Sequence, residues 1–100
     1  MTPKAEEKKE GDYTLIVPLD REKTKTATFY LRDIDETVFL ATKALLDKGK
    51  ELDAVLVMIK ALRVGGDDPK VLENNFIAKQ SASFLLGQFL EPVQGELKKN

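Results

Sequence analysis

The stretch TKTATFYLRDIDETVFL, residues 24–40, contains the change of periodicity that decides the fold. Over residues 24–32 apolar and polar side chains alternate, so Phe29 and Leu31 share one face of a predicted half-buried strand. From Asp33 onward the apolar residues recur at helical spacing, which predicts a helix. A strand therefore passes directly into a helix, and both elements are expected to face one core.

A second β-rich run, YTLIVPL at residues 13–19, precedes this strand. It is short, apolar and rich in β-branched residues, and a polar DREK segment separates it from the run at 24–32. The two runs are therefore predicted to pair as an antiparallel β-hairpin. Pro18 has no N–H to donate to a ladder, which places that end of the first strand at an edge or a strand terminus.

Helices are predicted along the rest of the domain. The segment DIDE places an N-cap at Asp33 with Glu36 three residues later, and Gly49 follows the apolar stripe, so the first helix is expected over about 34–47. The second helix, over about 50–64, is apolar around more than half of its circumference and is expected to be buried on two sides.

The corner ALRVGGDDPKVLENNF, residues 61–76, separates the second helix from the last part of the chain. Its GGDDP segment lacks the spacing of a phosphate loop, a dinucleotide turn or a calcium loop. Two glycines that end a helix, followed by an Asp68 N-cap and Pro69 in the first turn, account for the whole segment. A short helix is predicted over about 69–74, and a last helix over about 76–91.

The predicted domain organisation is simple. Residues 1–11 are expected to form a flexible charged tail, residues 12–92 a single domain, and residues 93–100 a frayed polar tail. The domain belongs to the α+β class, with an N-terminal antiparallel β-hairpin followed by three to four helices.

Composition excludes several function classes. Sixteen basic and seventeen acidic residues give a net charge of −1, which offers no electrostatic attraction to nucleic acid or to an anionic membrane. The chain has no cysteine and no histidine, so we expect no catalytic, cofactor or metal site and no enzymatic activity. No apolar run approaches the length of a signal core or a membrane span, which predicts a cytoplasmic protein.

The last predicted helix is apolar nearly all round, which is more than one packing face requires. Packing within the domain accounts for most of these residues. The excess favours binding to a protein partner or self-association as a homo-oligomer.

The order of these features resembles the small tail assembly chaperones of phage and prophage tail modules. The resemblance rests on FYLR at the strand end (29–32), LRVGGDDP at the corner (62–69) and a terminal E-x-K-K (96–99), and it covers about residues 13–99. Pro92 departs from the unbroken C-terminal helix expected of that family.

The resemblance implies a non-enzymatic protein of the host cell cytoplasm that binds a long, hydrophobic, helical tape-measure protein and keeps it soluble during tail assembly. The predicted partner contacts are exposed apolar residues of the second and last helices, namely Val57, Met58, Phe84, Leu86 and Leu90. One alternative is a structural tail or head–tail component that self-assembles through its apolar helical surface. The other is an enzyme or ligand-binding domain, which would require a concave pocket with converging polar groups.

Overall fold

The computed structural model describes residues 11–100, and nearly all of the predicted N-terminal tail, 1–11, lies outside the described residues. The elements in chain order are β1 (Tyr13–Pro18), β2 (Thr26–Leu31), α1 (Glu36–Asp47), α2 (Glu51–Leu62), β3 (Arg63–Gly66), a 3₁₀ helix (Pro69–Leu72), α3 (Phe76–Leu86) and a second 3₁₀ helix (Gly87–Leu90). The predicted α+β fold with an N-terminal hairpin is confirmed. Residues 92–100 are exposed and have no secondary structure.

The hairpin pairs β1 and β2 antiparallel, with Leu15 opposite Phe29. The predicted alternation is confirmed, because Phe29 and Leu31 are fully buried whereas Ile16, on the opposite face of the sheet, is 56% exposed. In the turn, Lys23 has a φ of 62°, and its N–H donates to the Asp20 carbonyl at 3.1 Å. One face of the hairpin therefore packs on the core and the other faces solvent.

The predicted N-cap of the first helix is wrong by two residues. The Asp35 carboxylate accepts the Val38 N–H at 2.9 Å, so Asp35 is the cap and α1 begins at Glu36. The Asp33 carboxylate instead accepts the N–H of the next residue, Ile34, at 2.8 Å. A carboxylate engaged with its own neighbour in extended chain does not reach the third residue of a helix, and the helix therefore starts later than predicted.

The second helix ends at Leu62, two residues before its predicted end at 64, because residues 63–66 form a strand that the sequence analysis did not predict. This strand, β3, pairs antiparallel with β2, and the sheet order is β1-β2-β3. Gly66 has a φ of 93°, and a Cβ built on it would lie 2.4 Å from the Thr28 carbonyl oxygen. Gly66 is therefore required for close approach of two strands, and not only for ending a helix.

The core lies between the inner face of the sheet and the helices. As predicted, α2 is buried on two sides, with α1 packed on one and α3 on the other. The largest fully buried side chains are Phe29, Leu31, Ile59, Leu62, Leu72, Val17 and Thr42. Thr42, the buried polar member of this set, donates its hydroxyl to the Val38 carbonyl at 2.8 Å, which satisfies it within its own helix.

The predicted helix over 69–74 is the shorter 3₁₀ helix, and Asp68 is its cap as expected, accepting the Lys70 N–H at 3.0 Å. The predicted last helix over 76–91 starts correctly at Phe76, but its α-helical part ends at Leu86 and the following turn is 3₁₀. Asn75 caps α3, and its amide also donates to the Leu19 carbonyl at 2.9 Å. This hydrogen bond joins the start of α3 to the end of β1.

Candidate functional site

Within residues 11–100, two carboxyl groups have perturbed pKa values, and both have structural partners. A hydrogen bond from the Thr24 hydroxyl lowers the pKa of Asp20, and backbone N–H groups of the same turn act in the same direction. The Val38 N–H lowers the pKa of Asp35, and the Arg32 guanidinium, 3.0 Å away, adds to the effect. Asp20 is partly exposed and stabilises a hairpin turn, and Asp35 is exposed and stabilises a helix start.

The GGDDP corner is likewise occupied by structural hydrogen bonds. The Asp67 carboxylate accepts the Thr28 N–H at 2.8 Å, which attaches the corner to the central strand. Arg63 donates to the Gly66 and Asp67 carbonyls at 2.8 Å each. The Asp67 carboxylate, the Arg63 guanidinium and the two carbonyls are thereby directed at the protein itself.

Within residues 11–100 there is no group of three or more His, Cys, Asp or Glu side chains placed to hold a metal ion. In the same part of the chain, no helix combines the length and apolar character needed to span a bilayer. The candidate sites of the described residues are therefore their apolar surfaces.

The five predicted partner contacts do not form one surface. Met58 is 3% exposed and Leu86 4% exposed, so both belong to the core, and the expectation that they are exposed is wrong. Leu86 follows Ala78 and Ala82 along the buried face of α3. Its position in the helix predicts that Leu86 is buried only once it is known which side of α3 the sheet and α2 cover.

The other three predicted contacts have part of their surface in solvent. Phe84 is 83% exposed, whereas Val57 and Leu90 are half-buried. Phe84 and Leu90 line different depressions, and Val57 lines neither of those two.

Phe84 forms one wall of a depression of about 390 Å³ between α2 and α3, here called the Phe84 groove. Phe76, 54% exposed, forms the other aromatic wall, and Leu52 of α2 contributes apolar surface between them. At the polar side, the Ser83 hydroxyl donates to the Glu51 carboxylate at 3.3 Å. Glu51, Leu52, Phe76, Gln80, Ser83 and Phe84 line this groove.

Phe76 is a surface residue that the sequence pattern did not predict. It follows the Asn75 cap at the start of α3, one and two turns before Gln80 and Phe84, so the three residues lie along one side of the helix. That spacing indicates that the three residues share one side of α3. Whether that side lies in the core or at the surface depends on where α2 packs.

A second depression, of about 500 Å³, lies between β1 and the C-terminal end of α3 and is here called the β1 groove. Tyr13 and Phe89 meet across it in an edge-to-face contact, with ring centroids 4.9 Å apart. Its lining residues carry no charge, although 33% of the chain is charged. They are Tyr13, Thr14, Leu15, Ile16, Leu31, Leu85, Leu86, Gln88 and Phe89.

Leu90 lies on the other side of Phe89, in a shallow depression of about 550 Å³ beside the start of α1. Ile34 and Phe39 supply apolar surface there, and the carboxylates of Asp35, Glu36 and Glu91 surround it. Phe89 thus separates an uncharged groove from an acid-rimmed one.

Comparison of the chain with protein-family models, with curated proteins and with solved structures finds no match. A function for the chain is therefore inferred from the geometry of the described residues. That geometry presents apolar grooves beside exposed aromatic side chains, an arrangement suited to protein–protein contact.

Proposed function

We propose that the protein is a non-enzymatic assembly chaperone of the phage tail type, which binds a long helical tape-measure-type partner and keeps it soluble during tail assembly. The observation that carries the proposal is the Phe84 groove. Two phenylalanines, Phe76 and Phe84, stand more than half exposed on one side of α3 and flank a depression against α2. Exposed aromatic pairs of this kind are typical of surfaces that another protein covers.

The position and lining of the groove suit an amphipathic helix. It runs between two helices, and its walls are apolar while Glu51, Gln80 and Ser83 supply polar groups at its margin. A partner helix would place its apolar face against Phe76 and Phe84 and keep its polar face in water, in the helix-in-groove mode.

The binding free energy expected from the Phe84 groove is small enough for reversible binding of a partner. Burying an exposed Phe side chain contributes about 1.5–3 kcal/mol, and association costs at least about 4 kcal/mol. Phe76 and Phe84 together therefore support weak binding of one segment, and a long partner with many apolar segments would be covered by several copies of the chaperone. Weak contacts of this kind also permit release when tail-tube subunits arrive.

The proposal is tested by coexpression with a tape-measure protein from the same genome, with the soluble fraction of that protein as the readout. The wild type is expected to raise the soluble fraction, and Phe84→Lys is expected to abolish the gain. Val71→Lys is the matched control, because Val71 is an exposed apolar residue, 43% exposed, that lies outside the groove.

Circular dichroism of both variants checks that the fold is retained. If the wild type leaves the tape-measure protein insoluble, the chaperone function is wrong. If Phe84→Lys solubilises it as well as Val71→Lys does, the Phe84 groove is not the binding surface.

A further inference from the structure

We infer that the free edge of β1 is a homodimer interface, at which β1 of a second copy adds antiparallel and continues the sheet. Among residues 11–100, which the structure describes, β1 is at the edge of the sheet, since the strand order is β1-β2-β3. This inference is independent of the proposed function, because it uses the β1 groove and not the Phe84 groove.

The hydrogen-bonding register identifies which backbone groups are free. The Leu19 N–H donates to the Lys25 carbonyl at 2.8 Å, in the same register that pairs Leu15 with Phe29. In an antiparallel ladder, hydrogen-bonded pairs recur at every second residue. The backbone groups of the odd-numbered residues therefore face β2, and those of Thr14 and Ile16 face the open edge.

The ends of β1 limit the pairing to its centre. Pro18 has no N–H, and the Asp12 N–H already donates to the Leu31 carbonyl at 2.9 Å. The free donors of this edge are therefore the N–H groups of Thr14 and Ile16. An antiparallel second copy with Leu15 opposite Leu15 sets Thr14 against Ile16, so that each free N–H finds a carbonyl in the other copy.

Charge favours a second copy as the occupant. β1 reads YTLIVP and is uncharged, and the β1 groove beside it is also uncharged. Like charges directly opposite one another destabilise a strand pair, and self-pairing of β1 places none there. Edge strands that must stay unpaired commonly carry charged side chains, prolines or bulges as protection; β1 has no charged residue within it, and its proline, Pro18, lies at the strand end outside Thr14 and Ile16.

The same pairing covers part of the exposed apolar surface around the edge. Ile16 is 56% exposed on the outer face of the sheet, and Tyr13 is 45% exposed at the groove. A two-fold axis perpendicular to the sheet leaves both α3 helices on the same face, so Leu85 and Phe89 of the two copies face each other across the axis. The strand pairing thus satisfies the backbone edge and reduces the water-exposed apolar area of Tyr13 and of the β1 groove, whereas Ile16 stays on the outer face with only its flank against Thr14 of the second copy.

The test is light scattering over a concentration series, combined with residue-resolved amide hydrogen exchange by NMR. We expect the mass to rise from 11.2 kDa to twice that value. Exchange at Thr14 and Ile16 is expected to slow at least tenfold as the dimer forms, whereas Leu15 and Val17 are protected at every concentration.

Ile16→Lys is expected to weaken the dimer at least about tenfold, because it places a charge in the new ladder and removes apolar burial in both copies. Val64→Lys is the matched control: Val64 is 43% exposed on β3, at the opposite edge of the sheet, and its variant is expected to dimerise as the wild type does.

Three results would overturn the inference. They are a chain that remains monomeric at millimolar concentration, a dimer in which Thr14 and Ile16 continue to exchange rapidly, and an Ile16→Lys variant that dimerises as tightly as the wild type. None of them bears on tape-measure solubilisation through the Phe84 groove.

Discussion

Thr28 and Asp67 are hydrogen-bonded to each other twice. The Thr28 N–H donates to the Asp67 carboxylate at 2.8 Å, and the Asp67 N–H donates to the Thr28 carbonyl at 2.8 Å. These residues lie 39 positions apart, so the corner after β3 is anchored to the middle of the sheet by a long-range contact. The acidic corner therefore stabilises the fold.

Asp67→Ala is expected to lower the free energy of unfolding by about 1 kcal/mol, because it leaves the Thr28 N–H without its protein acceptor. Asp67→Asn keeps a side-chain oxygen at the same place and is expected to recover most of that loss. Urea denaturation of the three proteins measures both changes. Equal stability of wild type and Asp67→Ala would show that water replaces this acceptor at no cost.

Gly66→Ala is expected to destabilise the protein by more than about 3 kcal/mol, because the left-handed backbone is strained with a Cβ and the Cβ would also clash with backbone. The built Cβ lies 2.4 Å from the Thr28 carbonyl oxygen. Gly49→Ala is the comparison: Gly49 has a φ of 76° but open space around it. We expect a loss of about 1–2 kcal/mol there, from the backbone conformation alone. Thermal or urea unfolding that ranks the two variants in the opposite order would contradict the assignment of Gly66 to a strand contact.

Leu86→Ala is expected to cost about 2–5 kcal/mol of stability, since the side chain is 4% exposed and its removal leaves a cavity in the core. Phe84→Ala, two residues earlier and 83% exposed, is expected to change stability by no more than about 0.5 kcal/mol. Both values come from denaturation midpoints and slopes. Comparable losses in the two variants would mean that the two residues do not differ in burial in solution.

The pH dependence of stability is expected to contain a contribution from Asp35. Its pKa in the folded protein lies below the ordinary value of 3.8, since the Val38 N–H and Arg32 favour the charged carboxylate. The contribution is present above pH 3.8 and is lost as the pH falls below 3.8 and through the lower pKa of the folded state. Asp35→Asn keeps a capping oxygen but cannot titrate, so its stability is expected to fall less steeply over this acid range.

Unfolding free energies of wild type and Asp35→Asn, measured from pH 5 to pH 2, provide this comparison. Parallel curves would show that the Asp35 carboxylate has the same pKa in the folded and unfolded chains. Asp20, whose pKa is also lowered, is unchanged in both proteins and contributes equally to the two curves.

Local patterns predicted the hairpin and the helices because each depends on neighbouring residues. The alternation around Phe29 requires only the pleat of a strand, and the Asp68–Pro69 start requires only one turn of backbone. The capping pattern placed the N-cap of α1 at Asp33, whereas the structure has it at Asp35, because the Asp33 carboxylate accepts the Ile34 N–H instead. Local chemistry therefore located the helix but not its first residue.

The candidate surfaces were less predictable. An apolar α3 was recognised from its composition, yet Leu86 is buried and Phe84 exposed because α2 and the sheet cover one side of the helix and leave another open. Phe76 and the β1 groove were missed for the same reason. Each surface is formed by elements distant in the chain, and the burial of a side chain depends on what packs against it.

The α+β class, the hairpin and the Asp68 cap follow from the residues alone, since short-range sterics, side-chain periodicity and local hydrogen bonds specify them. Tertiary packing decided that the residues around Gly65 form a third strand, because Arg63–Gly66 pairs with the β2 backbone, which is distant in the chain. It also decided which apolar side chains form the core and which line grooves. Burial and strand pairing depend on contacts between distant parts of the chain, and no local pattern contains that information.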